Sequence, residues 1–158
     1  MMSYIPNRVG RRQEGAAAIE LALVLPLFVV LLTFPLFYGR YFWHYTVAHK
    51  AAQDATRYLS TISVKEMTTP VLAVAAEAIA KGIATEVVAD LSPGGSGPTV
   101  AVFCGVNELC TGTQGNPLPQ TVTVSVNLSM TDNLVGMVPT GPWGMPISAK
   151  VEMRYVGK

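Results

Sequence analysis

Charge is what this sequence has least of. Aspartate, glutamate, lysine and arginine make up 13% of its 158 residues, about half the share of an ordinary soluble domain. The 11 bases and 10 acids leave a net charge of +1, which excludes a global field built to attract nucleic acid or an acidic substrate. Histidine occurs twice, as His44 and His49. Five positions apart, these two miss the spacing of four that stacks two ligands on one helical face, so no metal site is expected. Cysteine also occurs twice. Cys104 and Cys110 bracket "CGVNELC", a gap too wide for a redox pair with two intervening residues, and two cysteines allow at most one staple. The glycines of "SPGGSGP" lack the lysine of a phosphate-cradling loop, and no motif assembles serine, histidine and aspartate. No cofactor is called for, and an anchored enzyme is the least supported class.

Hydrophobic residues are abundant, at 50% of the chain with a mean hydropathy of +0.37. Much of that sits in one run of 24 residues from Ala16 to Gly39. Roughly 20 suffice to cross a bilayer as a helix. A cleaved secretory signal has a shorter apolar region that ends in small residues, whereas Ala16, Ala17 and Ala18 stand at the start of this one. Its leucines, valines and phenylalanines leave no polar face, which disfavours a buried soluble helix. The run therefore reads as a retained anchor. Arg8, Arg11 and Arg12 precede it within ten residues and only Arg40 follows as closely, which favours a cytoplasmic N-terminus. Pro26 and Pro35 interrupt the run, and membrane helices tolerate prolines where neighbours repair the backbone. Beyond Gly39 the helical pattern continues through "YFWHYTVAHKAAQDATRYLS". Tyr41, Trp43 and Tyr45 suit an interfacial aromatic belt, and Ala48, Ala51, Ala52 and Ala55 line one flank.

The remainder predicts a small α+β domain. In "TTPVLAVAAEAIAKGIATEVVAD", Thr69 is a candidate helix cap and Pro70 a first-turn residue. Val71, Val74, Ala75, Ala78 and Ile79 form the expected apolar face, and Glu77 and Lys81 pair four apart. "SPGGSGP" then ends the helix as a flexible link. "TVAVF", "QTVTVSVNLSM" and "ISAKVEMRYV" read as three half-buried strands, most often antiparallel, laid against the helices. The second puts Val122, Val124, Val126, Leu128 and Met130 on one side. The third puts Ile147, Ala149, Val151, Met153 and Tyr155 there. Asn127-Leu128-Ser129 matches a glycosylation sequon, inside a predicted strand where such short matches arise by chance. The division expected is 1–15 leader, 16–39 membrane span, 40–61 helix extension and 62–158 extracytoplasmic domain.

One ionisable residue, Glu20, stands inside the apolar run. A glycine closing a polar leader, an alanine-rich start, a glutamate five residues on and a long apolar helix together resemble the processing site of type IV pilin-like proteins. "GAAAIELALVLPLF", followed by "YGRYF" and "AHKAAQDATRYLS", more closely resembles the TadE-like family, the pseudopilins of the tight-adherence (Flp-type) pilus system. The resemblance covers residues 12–60 and returns weakly in the closing "ISAKVEMRYV". Leu21, Glu14 and the pair Phe37–Tyr38 stand where family members often carry an aromatic, an arginine and an acid. The resemblance implies a prepilin peptidase cutting on the cytoplasmic side between Gly15 and Ala16. It also implies a mature helix in the inner membrane or in a pilus assembly, and partners among other pilins and the inner-membrane platform, with no nucleic acid.

The residues suit such a site. Gly15 offers no side chain to a protease approaching the backbone. After cleavage Ala16 would carry an ammonium group with Glu20 one turn away, and a helix N-terminus favours a nearby carboxylate. Pairing with its own N-terminus or a neighbour's would offset the cost of a charge in the membrane, about 2.5–3.5 kcal/mol at mid-bilayer on insertion scales. The plainer alternative is that Glu20 sits unpaired at headgroup level. With the C-terminal part in an oxidising compartment, Cys104 and Cys110 read as a loop staple. Two functions follow: a pilin-like assembly protein, or an unprocessed single-pass protein whose outer domain binds a ligand or envelope component. The mature N-terminus discriminates between them.

Overall fold

The computed structural model describes residues 13–94, 97–105, 108–110, 118–132, 136 and 138–157. Arg8, Arg11 and Arg12, most of the leader, and Gly95 and Ser96 of the glycine-rich segment lie outside the described residues. Three helices precede three strands: α1 (Gln13–Thr61), α2 (Val64–Thr68), α3 (Pro70–Val88), β1 (Thr99–Cys104), β2 (Thr121–Met130) and β3 (Met145–Arg154). The strands form one antiparallel sheet in the order β1-β2-β3. The molecule is thus the expected α+β fold with a long apolar N-terminal helix.

At 1.5 Å per residue the 49 residues of α1 make a rod roughly 73 Å long. It runs without a break through Pro26 and Pro35. Its N-terminal half is bare: Leu21, Leu23, Leu25, Leu27, Phe28 and their neighbours are exposed. Its C-terminal half is the central helix of the domain, with Ala48, Ala51, Ala52, Ala55 and Leu59 buried completely. Residues within 40–61 therefore share one core with the sheet.

A sharp corner reverses the chain. Ser63 caps α2 in a full capping box, its hydroxyl accepting from the Glu66 backbone N–H while the Glu66 carboxylate accepts from the Ser63 N–H at 2.8 Å. This short helix had no counterpart in the sequence reading. Thr69 occupies the cap position of α3 and Pro70 its first turn, as expected, but the Thr69 hydroxyl makes no capping bond. The Thr69 carbonyl instead accepts from the Ala73 N–H at 2.9 Å.

Helix α3 then returns along α1, and it turns a different face to the core from the one expected. Val71, Val74, Ala75, Ala78 and Ile79 are all exposed, Val71 to 78%. The buried residues are Ala73, Ala76, Ala80, Ala84 and Val88. The reason is distance: interaxial spacing follows side-chain size, and α1 presents a flank of alanines that the alanine stripe of α3 matches. The Glu77–Lys81 ion pair forms at 2.6 Å, though such an i,i+4 pair is worth only about 0.3–0.5 kcal/mol.

The sheet covers the remaining sides, β2 and β3 against α1 and β1 against α3. Along β2, Val122, Val124, Val126, Leu128 and Met130 are all buried, as their alternation predicts. Burying each contributes about 1.5–3 kcal/mol as an upper figure. Their cross-strand partners on β3 are Met153, Val151, Ala149, Ile147 and Met145. Asn127 faces solvent and accepts from the Ser148 hydroxyl at 2.7 Å. The expected flexible link is tied down at its start: the Pro93 carbonyl accepts from the Thr131 N–H at 2.9 Å, and Gly94 bridges to Met130.

Candidate functional site

The residues singled out by sequence fall at opposite ends of the molecule. Gly15, Ala16 and Glu20 lie on the bare end of α1, all exposed. Gly15 and Ala16 both lie within α1, which is described from Gln13 onward. A Cβ built on Gly15 would meet nothing within 4 Å. Glu20, four residues after Ala16, stands on the same helical face one turn on. No charged side chain within hydrogen-bond reach of Glu20 occurs among the described residues.

Cys104 and Cys110 close a disulfide with a Cα–Cα distance of 4.9 Å. It lies at the other end, where the Gly105 N–H donates to the Thr121 carbonyl and the Cys104 N–H to the Glu108 carbonyl, both at 2.8 Å. Cys110 is buried, so the disulfide itself packs into the end of the domain. Beside it the chain's last strand is fastened to the top of α1. The Tyr155 hydroxyl donates to the Ile62 carbonyl at 3.0 Å, and the Val156 N–H to the Ser60 carbonyl at 3.0 Å. Partial burial raises the Tyr58 and Tyr155 phenols above their ordinary values, and the nearby Glu66 charge adds to it. The Ser63 N–H and hydroxyl hold the Glu66 carboxyl below the usual carboxylate range.

Between these ends lies a junction that sequence reasoning did not find. Where the apolar run stops, the Arg40 guanidinium donates to the Ser92 carbonyl and the Tyr41 hydroxyl to the Pro146 carbonyl at 3.1 Å. The buried His44 has Nδ1 2.7 Å from the Arg40 carbonyl, so Nδ1 carries the proton and donates. Its Nε2 is buried without a partner among the described residues. Phe37, one turn below Tyr41, is only 3% exposed and belongs to the same continuous core as Met130 and Val138. Thr33 is buried too. The domain therefore reaches down past the end of the apolar run and grips the helix there. An aromatic–basic cluster in the sequence hinted at a boundary, but its partners lie 50 to 105 residues away and no local pattern points to them.

Among the described residues no three His, Cys, Asp or Glu side chains converge as metal ligands. One open depression, about 720 Å³, lies along α1 between Trp43 and Gln53. Another, about 490 Å³, lies at the disulfide end between Val64 and Arg154. Neither gathers a nucleophile, a base and an oxyanion-stabilising group among its lining residues.

The helix that carries these features has a recognised relative. The family model for TadE-like protein matches residues 15–57, from the glycine before the alanine run almost to the end of α1. No curated protein and no solved structure matches the chain.

Proposed function

We propose that this chain is a pilin-like structural protein of a tight-adherence (Flp-type) pilus system, made with a leader that a prepilin peptidase removes between Gly15 and Ala16. The observation that carries the proposal is the coincidence of the TadE-like match with α1. The match starts at Gly15 and runs through the bare apolar half into the alanine-lined half. The bare half has the length and hydropathy of a membrane span. In this reading the span lies in the inner membrane with the N-terminus cytoplasmic and the folded domain periplasmic. The prepilin peptidase acts first, and other pilins and inner-membrane platform proteins are the later partners.

Glu20 acquires its purpose after the cut. The new Ala16 ammonium lies one turn away, on the same chain or on a neighbour packed alongside, and the two charges neutralise each other where an isolated ion is costly. The domain serves as a headpiece, stapled at its far end by Cys104–Cys110.

Mass spectrometry of the membrane-extracted protein tests the reading. The mature chain should begin at Ala16 and lack residues 1–15. An intact leader in cells that contain a prepilin peptidase overturns it and favours the unprocessed single-pass alternative. Glu20→Gln separates processing from assembly. Cleavage and membrane insertion should survive, because the scissile backbone is unchanged and the span loses a charge. Co-purification with partner pilins should be lost, and Glu20→Asp should restore part of it. Wild-type assembly by the Gln variant would remove the pairing role.

A further inference from the structure

Only two tryptophans occur in the chain, and the one outside α1 is the most exposed large hydrophobic side chain described. Trp143 is 86% exposed in the connection between β2 and β3. That connection leaves the Met130 end of β2 and re-enters at Met145, directly opposite. Three contacts fix this end of the sheet beside the point where the bare half of α1 begins. The Tyr41 hydroxyl reaches Pro146, Arg40 reaches Ser92, and Gly94 bridges to Met130. The loop therefore extends from the sheet toward the bare half of the helix, at the level where Phe37 is already buried by the domain.

The presentation of Trp143 is built into the backbone. Gly141 (φ +68°) and Gly144 (φ +74°) enclose Pro142 and Trp143 in a tight turn, closed by the Gly144 N–H to the Gly141 carbonyl. A Cβ on Gly144 would lie 2.8 Å from the Met130 carbonyl oxygen, so glycine lets the turn seat directly on the end of β2. Residues 131–146 contain no lysine or arginine, and their single charge is Asp132. That carboxylate is turned inward, accepting from the Val138 N–H at 2.9 Å. An indole held outward on an otherwise uncharged turn has the chemistry of the headgroup layer, where an apolar ring and one polar N–H are both satisfied. Phe42 and Trp43, exposed on α1 just past the apolar run, occupy the same level.

We propose that the turn Gly141–Gly144 is a second membrane contact, with Trp143 inserted into the headgroup layer of the bilayer that α1 spans. Span and turn together would fix the domain's tilt on the membrane surface, which a single helix cannot do. The inference rests on the reading of the bare half of α1 as a membrane span, and the two are separable by experiment.

Trp43 is largely exposed, so Trp43→Phe leaves Trp143 as the one tryptophan without disturbing the core. This full-length variant is reconstituted into phosphatidylcholine–phosphatidylglycerol vesicles, with or without bromine on the upper acyl chain. Retention on the vesicles after alkaline extraction reports the span, and Trp143 fluorescence reports the turn. The expected result is retention, a blue-shifted Trp143 emission relative to detergent-free unfolded chain, and loss of most of that emission in brominated vesicles. Retention with Trp143 unquenched by bromine and open to aqueous iodide overturns the docking and leaves the span standing. Loss of the protein on alkaline extraction overturns the span and the docking with it.

Discussion

The two halves of α1 are one continuous helix in two different surroundings. In the N-terminal half the side chains are long and branched and stand free, Leu23 to 73%. In the C-terminal half the inward flank is led by four alanines, Ala48, Ala51, Ala52 and Ala55, with no exposed surface at all. Hydrophobicity alone does not distinguish these stretches; size does. Large side chains suit a fluid hydrocarbon solvent that conforms to any surface, whereas close helix–helix packing needs small ones. Apart from Glu20 and Thr33, the bare half is apolar around its circumference, as expected of a helix in lipid, and the alanine half is apolar along one flank.

Charging the bare half should give the largest effect. Leu25→Lys should cost about 2.5–3.5 kcal/mol of insertion at mid-membrane, while leaving the thermal transition of the folded domain unchanged. The resistance of the variant to alkaline extraction, beside its melting curve, checks both halves of that statement. The reciprocal change enlarges the packed half. Ala80→Leu forces a branched side chain between α1 and α3 and should cost the domain about 1–3 kcal/mol on denaturant unfolding, with extraction behaviour unchanged. Equal losses in both measurements for either variant would erase the distinction between the halves.

The staple is expected to contribute comparably or slightly less. Closing the seven-residue loop Cys104–Cys110 is worth about 2 kcal/mol in the chain-entropy model. Cys104→Ala/Cys110→Ala should lower the unfolding midpoint accordingly, and reductant should then have no further effect. The smallest change is expected on the outer face of α3. Val74→Ser should shift the domain's stability by no more than about 0.5 kcal/mol in purified protein, although hydropathy marks Val74 as a core residue. A loss matching that of Ala80→Leu would return Val74 to the core.

That last contrast shows where sequence reading reached its limit. The alternation in β2 and β3 was legible because one sheet face is buried and side chains alternate with period two; each inward residue follows from its neighbour. The candidate span was legible because a run of 24 residues with a single charge has the length and hydropathy of a membrane helix. In α3 two apolar faces compete, one of valine and isoleucine and one of alanine. Hydropathy ranks the bulky face first, and only the alanine flank of α1 reverses that order. The capping box at Ser63 was present in the sequence as a serine followed three residues later by glutamate, but so short a helix has no apolar period to announce it.

For the candidate site the division is similar. Gly15, Ala16 and Glu20 are features of one helix, so their spacing alone places Glu20 a turn from Ala16. The junction of Arg40 with Ser92 and of Tyr41 with Pro146 was invisible, because each joins residues more than fifty positions apart.

By itself the sequence determined the long apolar helix, its lone carboxylate and the alternating strands. All of these follow from local period or composition, whereas the two cysteines alone left a disulfide and two idle thiols both open. The tertiary structure decided which face of α3 is inside, how far down α1 the domain reaches, and that Trp143 is held out at that level. Those outcomes depend on the fit of side-chain sizes between distant segments, which no local pattern encodes.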